Sequence, residues 1–272
     1  MKCLVYQYWS GEAPPYARLS QRLFRDYART HGLEYRFDDN PTFFRGRYSE
    51  YFHVLRPLYD TWFHQFDRVL YLDMDMFPTP AATDEILTVG IGHLAMAEER
   101  DAAVQRRAAN GPINTRRDVR WAWLLKRAYG VRVPLADGGG VPRIFNSGVI
   151  LYSKEGMRAL PRLFPNRRIY STLVRLVGLP RFYRLDQNYL GLAAFRKGVD
   201  FTELPNVWNN LVRSTHMGSY EYDMTESAAR FVHVQVRDRA GLSDAGVLAI
   251  VSPPEKAGLV PSGSHKESGR RG

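Results

Sequence analysis

At 272 residues, 44% hydrophobic and 24% charged, the chain can bury a sizeable core, and its single cysteine excludes an intrachain disulfide, a thiolate zinc cage and a redox pair. No run reaches the roughly 18 apolar residues that a spanning helix requires, and Gln7 and Ser10 interrupt the start where a signal peptide would be continuously apolar. The formal charge of +10 points to anionic partners, whether nucleotide phosphates, lipid headgroups, acidic glycans or nucleic acid, or else to solvated helix faces with no partner.

Lys2 to Gln7 reads as a buried strand carrying Cys3 as a small hydrophobe. Pro14-Pro15 opens a helix on which Tyr16, Leu19, Leu23 and Tyr27 recur at three- and four-residue steps, and His31-Gly32 ends it. Leu33 to Phe37 makes a second strand, and the strand, helix, strand order favours a parallel α/β sheet. Tyr51, Leu55, Leu58 and Trp62 share one face of a second helical pattern that Pro57 restarts or kinks. Arg68 to Asp73 is the strongest strand in the chain. Thr83 is placed to cap a short helix, and His93 to Ala97 forms a strand. A helix is expected around Trp121, Leu124, Leu125 and Ala128, followed by a mobile loop at Gly138-Gly139-Gly140. Phe145 to Tyr152, Val199 to Leu204 and Phe231 to Gln235 read as strands, and Asp186 to Phe195 as a helix.

Residues 1–251 are therefore expected to form one catalytic domain, and 252–272, rich in Pro, Gly, Ser and charge, a disordered basic tail. That tail has Lys256, Lys266, Arg270 and Arg271 against Glu255 and Glu267, which leaves +8 in the domain. Much of this excess comes as pairs: Arg106/Arg107, Arg116/Arg117, Lys126/Arg127 and Arg167/Arg168. A cytoplasmic protein, peripheral to a membrane if its charge engages lipid, is the expectation.

The sharpest chemical signal is RVLYLDMDMFP, an apolar strand ending in Asp73 and Asp75. Ligands of open α/β sheets bind at the carboxyl ends of strands, and two carboxylates there form a hard-oxygen pocket for Mn²⁺ or Mg²⁺. Such an ion neutralises charge on a departing diphosphate. Asn146-Ser147-Gly148 places an amide and a hydroxyl beside a strand glycine, which marks either a bulge or close approach by a ligand or another backbone. Asp186 and Gln187 at a helix start are a cap or a contact to substrate.

This set resembles the GT-A glycosyltransferases with a DxD motif, and the motif order is similar to the retaining family-8 group that includes glycogenin and lipooligosaccharide galactosyltransferases. The residues that carry the likeness are Asp73-x-Asp75, Phe145-Asn-Ser-Gly-Val, Asp186-Gln187, Leu204-Pro-Asn-Val-Trp-Asn209 and Phe231-Val-His233, spanning about residues 2 to 236. The resemblance implies an α/β GT-A fold with a mostly parallel central sheet flanked by helices. It implies a hexosyltransferase using a nucleotide-sugar, UDP-linked, and a hydroxyl acceptor on a glycan, a protein or another molecule, with retention. Asp73, Asp75 and His233 would hold Mn²⁺ or Mg²⁺, Arg56 would face the donor, and Asp186, Gln187 and Asn146 would position sugar and acceptor. The family commonly follows its histidine with glycine and lysine, whereas His233 is followed by Val-Gln-Val-Arg-Asp-Arg239, so Arg237 or Arg239 is the expected diphosphate clamp. Tyr6 or Tyr8 is placed to stack on a base. Two rivals remain: a GT-A-like module that binds nucleic acid through its arginine pairs, or a transferase acting on modified nucleic acid. A haloacid-dehalogenase-type phosphatase fits less well, because Phe77 stands where its motif carries Thr or Val.

Overall fold

The computed structural model describes residues 1–99, 112–136, 140–214, 220–222, 229–235 and 241–252, with backbone alone in 112–115, 213–214 and 220–222. The central sheet has six strands: β1 (Cys3–Trp9), β2 (Glu34–Asp39), β3 (Arg68–Leu72), β5 (Leu94–Glu98), β6 (Phe145–Ser153) and β7 (Phe201–Leu204). Its order is β2-β1-β3-β6-β5-β7. β6 alone runs antiparallel to its neighbours, β3 and β5, while β1 is parallel to β2 and β3, and β5 to β7. The mostly parallel sheet expected from the sequence is present.

Alternation along the strands divides the core. Leu4, Tyr6, Val69, Tyr71, Ile150 and Tyr152 face one side, and Cys3, Val5, Leu70, Leu72, Val149 and Leu151 the other, because successive side chains in a strand point to opposite faces. The first face packs against α2 (Arg56–Tyr59), α3 (Pro112–Tyr129), α4 (Lys154–Leu163), α5 (Arg167–Leu176) and α6 (Asp186–Ala194), through residues such as Leu58, Trp121, Leu160, Tyr170 and Tyr189. The second packs against α1 (Pro15–Thr30) through Phe24, Tyr27 and Ala28.

Pro15 occupies the first turn of α1, where no N–H is needed, and Gly32 follows its end at φ +65°. The remaining face of α1, with Tyr16, Ala17 and Leu19, packs on a second sheet of order β4-β10-β8-β9. Its strands are β4 (Met76–Pro78), β8 (Asn210–Ser214), β9 (Tyr220–Tyr222) and β10 (Phe231–Gln235), and α7 (Asp244–Val251) joins the same cluster through Val247 and Ile250.

Two expectations change, and two fall wholly or partly outside the described residues. The helical pattern over 51–62 is a broken run: 3₁₀ turns at Ser49–Tyr51, His53–Leu55 and Thr61–Gln65 surround the single turn of α2. Pro57 has no N–H to continue a ladder, so Leu55 and Leu58 are buried while Tyr51 and Trp62 remain exposed. Thr83 precedes a 3₁₀ turn, Asp84–Thr88, but its hydroxyl does not cap it. Of the glycine run, Gly138 and Gly139 lie outside the described residues, as does the tail from residue 253, and Gly140 adopts φ +63°.

Candidate metal centre

Asp73 leaves the end of β3 into a tight turn closed by the Met76 N–H donating to Asp73 O at 3.1 Å. Within the turn Met74 is buried against the α1 and second-sheet cluster and Met76 in the cluster beneath the central sheet, while Asp73 and Asp75 are half-buried. Two buried polar residues clamp it from behind. The Gln7 Nε2 donates to Ser20 Oγ and to Asp73 O, at 3.1 and 3.4 Å, and the Ser20 hydroxyl donates to Met76 O at 2.7 Å.

His233 arrives from 158 residues further along because β10 pairs with β4, with His233 directly opposite Met76. The Val234 N–H donates to Asp75 O at 2.9 Å, so backbone pairing fixes the separation of the two residues. His233 Nε2 then lies 3.1 Å from Asp75 Oδ1, with the imidazole 2% and the carboxylate 12% exposed. One ligand atom from each of Asp73, Asp75 and His233 can be chosen so that all lie within 4.8 Å of one another.

A chain of amides determines which imidazole nitrogen meets the carboxylate. The Gly148 N–H donates to Asn146 Oδ1 at 2.7 Å, which fixes the Asn146 amide because a backbone N–H can only donate. Asn209 Nδ2 donates to that same oxygen at 2.9 Å, so the other Asn209 atom is oxygen, 3.1 Å from His233 Nδ1. Nδ1 is therefore the protonated nitrogen. Gln235 Nε2, 3.2 Å from Nε2, fits a lone pair there. Two electron-rich atoms, Nε2 and Asp75 Oδ1, are thus held together, and only a proton or a cation between them makes this favourable. Cis ligands of a small divalent ion, each bound at about 2.1 Å, stand about 3.0 Å apart, and mixed oxygen and imidazole donors suit Mn²⁺.

Asp73 adds to the pressure for positive charge. Burial, then the neighbouring Asp75 carboxylate, pushes its pKa up to about 7. Tyr71 donates its hydroxyl to Asp73 Oδ1. Near neutral pH a cation and a proton would compete for this carboxylate. The residues present fit a divalent metal.

Gly148 is what permits His233 to sit there. A Cβ on residue 148 would lie 2.6 Å from His233 Cε1, 2.7 Å from Nδ1 and 2.8 Å from Asn146 Oδ1. Of the sequence readings of this glycine the bulge is present, and the close approach is made by a side chain. The β5–β6 register jumps from Met96↔Ile150 to Ala97↔Asn146, so a bulge spans Ser147 to Val149, and what approaches the glycine is an imidazole.

Other expected site residues divide. Asp186 is the first residue of α6 and Leu185, with no side-chain cap, precedes it. Its carboxylate accepts from Ser147 and from the amides of Asp186 and Gln187, yet burial outweighs these bonds and raises its pKa to about 6. Gln187 donates Nε2 to Glu99 Oε1 at 2.9 Å, which leaves Oε1 as the atom it can present. Asn146 is 2% exposed, with Oδ1 bonded as above and Nδ2 donating to Glu99 Oε1 at 2.8 Å, so both ends of its amide are bonded within the protein.

Arg56 is held between Asp38, at 2.6 Å, and Asp60, at 2.9 Å, and among the described residues it makes no ion pair with the aspartate turn. Tyr6 is fully buried, donating to Asp38 at 2.9 Å with its ring edge-on to Phe63, so no face is open to a base. Its neighbour Tyr8 stacks on Tyr71 at 5.8 Å, closer to the aspartates. Arg237 and Arg239 lie outside the described residues.

Glu99 was not singled out in the sequence, and Asn209 was named there only within the Leu204 to Asn209 stretch and without a role, although both complete the amide chain. Glu99 had a signal, as an acid just beyond a strand end, and Asn209 closes the stretch that begins at Leu204.

No protein-family model matches the chain, and no curated protein matches it in sequence. Solved structures resemble it at low identity. A glycosyltransferase involved in glycosylation of the major capsid of PBCV-1 is 13% identical with a TM-score of 0.49, the alignment covering 92% of this chain and 98% of that one. The bifunctional glycosyltransferase WbbM is 14% identical at TM-score 0.48, covering 89% of this chain and 46% of that one. Mouse xyloside xylosyltransferase 1 is 15% identical at TM-score 0.47, covering 86% and 97%. Likenesses of this strength leave the chemistry to be argued from the site itself.

Proposed function

We propose that the chain is a GT-A glycosyltransferase, with one catalytic domain over 1–251, that moves a hexosyl unit from a nucleoside diphosphate sugar, UDP-linked, to a hydroxyl acceptor with retention. The observation that carries this reading is the convergence of Asp73, Asp75 and His233 at the carboxyl end of β3, with the imidazole Nε2 aimed at Asp75. Asp73, Asp75 and His233 would hold Mn²⁺ or Mg²⁺, which when bound supplies charge neutralisation to the diphosphate.

The remaining roles belong to the chain's own groups. The Asp186 carboxylate accepts hydrogen bonds from sugar hydroxyls, and Gln187 Oε1 turns a lone pair toward the positive charge that develops at the anomeric carbon. Glu99, Asn146 and Asn209 keep Gln187 and His233 in register. In the transfer, the bond from anomeric carbon to phosphate oxygen breaks, that from the same carbon to the acceptor oxygen forms, and the acceptor's proton passes to the departing phosphate oxygen. Arg237 is assigned to the diphosphate, and Arg56 acts indirectly by fixing Asp38. No helix among the described residues is long and apolar enough to cross a membrane.

A thermal-shift panel of nucleoside diphosphates with and without Mn²⁺ tests the reading, since a ligand bound only by the folded state raises Tm. Mn²⁺-dependent stabilisation by UDP, lost in Asp75→Ala, is expected together with Mn²⁺-dependent turnover of UDP-sugars. Full turnover in excess chelator would overturn it.

A further inference from the structure

A second site lies on the other side of the first core, where α2 faces the junction of α4 and α5. A cavity of about 370 Å³ opens there, lined by Phe44, Leu55, Tyr59, Phe164, Arg167 and Tyr189, among others. Its volume falls within the range of small-molecule pockets, roughly 300–1,000 Å³. Four of the nine lining residues are aromatic, and the single charged group among them is Arg167.

That guanidinium is placed among rings. It lies over the Phe52 ring at 4.4 Å and beside Phe44 at 5.8 Å, its Nη1 is buried, and among the described residues no hydrogen-bond acceptor reaches that nitrogen. No carboxylate faces it within ion-pair distance among the described residues, and its neighbour Arg168 is a second cation. Burial depresses the Arg167 pKa from its usual value, the direction expected of a cation lacking its counter-charge. The surrounding polar groups do not supply one. Asn166 Oδ1 is occupied by the Arg168 and Ile169 amides at 2.9 and 3.2 Å, and Tyr189 donates its hydroxyl to Pro165 O at 2.6 Å. A buried guanidinium N–H without an acceptor is rare, and planar oxyanions match its fork.

We propose that this cavity binds a small ligand with a flat, apolar body and one anionic head, a carboxylate or a phosphate, and that Arg167 receives the head while Phe44, Tyr59 and Phe164 receive the body. The site stands apart from the metal centre and does not depend on the proposed transfer. The two are nevertheless linked by a short line of rings: Phe44 lies 5.6 Å from His53, His53 5.5 Å from Tyr8, and Tyr8 5.8 Å from Tyr71, the donor to Asp73.

Saturation-transfer NMR and thermal shift on the whole chain, with benzoate, phenyl phosphate and benzyl alcohol as probes and neither metal nor nucleotide present, test the site. At least one anion should bind and raise Tm, the stronger of the two naming the head group, while benzyl alcohol binds weakly or not at all. Arg167→Met, which keeps the stem on Phe52, should weaken the anion about tenfold or more. Arg168→Gln and Asp75→Ala should bind it as the wild type does, so failure of the metal reading leaves this result standing. Should Arg167→Met not fold, Arg167→Lys keeps the charge but loses the planar fork and should still bind more weakly. Absence of binding by either anion up to roughly 20 mM, equal binding of benzyl alcohol, or unchanged affinity in the Arg167 variants would overturn the proposal.

Discussion

Gly148→Ala isolates the contact on which the metal centre depends. Gly148 does not have a positive φ, so alanine is compatible with its backbone and the effect is steric. The new methyl would meet His233 Cε1 at 2.6 Å, where ordinary contact begins at 3.4 Å, so the ring must retreat by about 0.8 Å. Asn209, Gln235 and Asp75 hold it at 3.1, 3.2 and 3.1 Å, so there is little room to do so. Overpacking of this kind costs about 1–3 kcal/mol of stability. A ligand displaced by more than the roughly 0.2 Å that metal sites tolerate should lose affinity at least as strongly as when its supporting hydrogen bond is removed, about 10- to 100-fold. Calorimetric titration with Mn²⁺ reads the affinity, and circular dichroism confirms the fold. Gly90→Ala is the control, since a Cβ there meets nothing within 4 Å. Wild-type Mn²⁺ affinity and melting temperature in Gly148→Ala would refute the packing argument.

Asp186→Asn should separate function from stability. The folded pKa of about 6 lies above the ordinary 3.8, so the charged form is penalised in the fold, by about 1–3 kcal/mol at full ionisation. The variant should therefore melt higher than wild type above about pH 6, with the gain vanishing below about pH 4, while turnover falls about tenfold or more. Thermal melts across pH check the first outcome and steady-state kinetics the second; unchanged turnover would return Asp186 to a structural role. Gln7→Met should cost about 1–3 kcal/mol in urea unfolding, because Ser20 and Tyr35 lose their buried partner. Changing Arg116, Arg117 and Arg120 to Gln, all exposed on α3, should leave donor hydrolysis unchanged. If the acceptor is anionic, acceptor KM should rise in that variant, and in the wild type with salt; indifference to both makes this a solvated face.

Elements whose apolar pattern is local were legible in the sequence: β1, α1, β3, β6 and β10 lie close to where their patterns place them. α4 and α5 were not singled out. Both are amphipathic, but Pro161 lies inside α4, and α5 buries only Tyr170 and Val174 along a helix rich in arginine. β4 and β8 are short strands whose pairing partners, β10 for the first and β10 and β9 for the second, are not their neighbours in a local apolar pattern. At the site, a strand ending in two acids was readable because the strand and the acids are adjacent in sequence. Asp38, which holds Arg56, and Glu99 and Asn209, which bond the Asn146 amide, come from distant segments that no local pattern relates.

The place of β10 in the smaller sheet also sets an order of assembly. The chain through β3 can pair with β1 and β2 early, and β6 can close on β3 once residue 153 has formed. Among the described residues β4 has β10 as its sole strand partner, so the aspartate turn is left without its outer support until residues 231–235 are made. Contacts of such long sequence separation form late and slowly. A nascent chain still short of β10 would carry both aspartates but neither the histidine nor the strand that holds it, so the three groups can come together only after β10 is made and their meeting reports that the smaller sheet has closed.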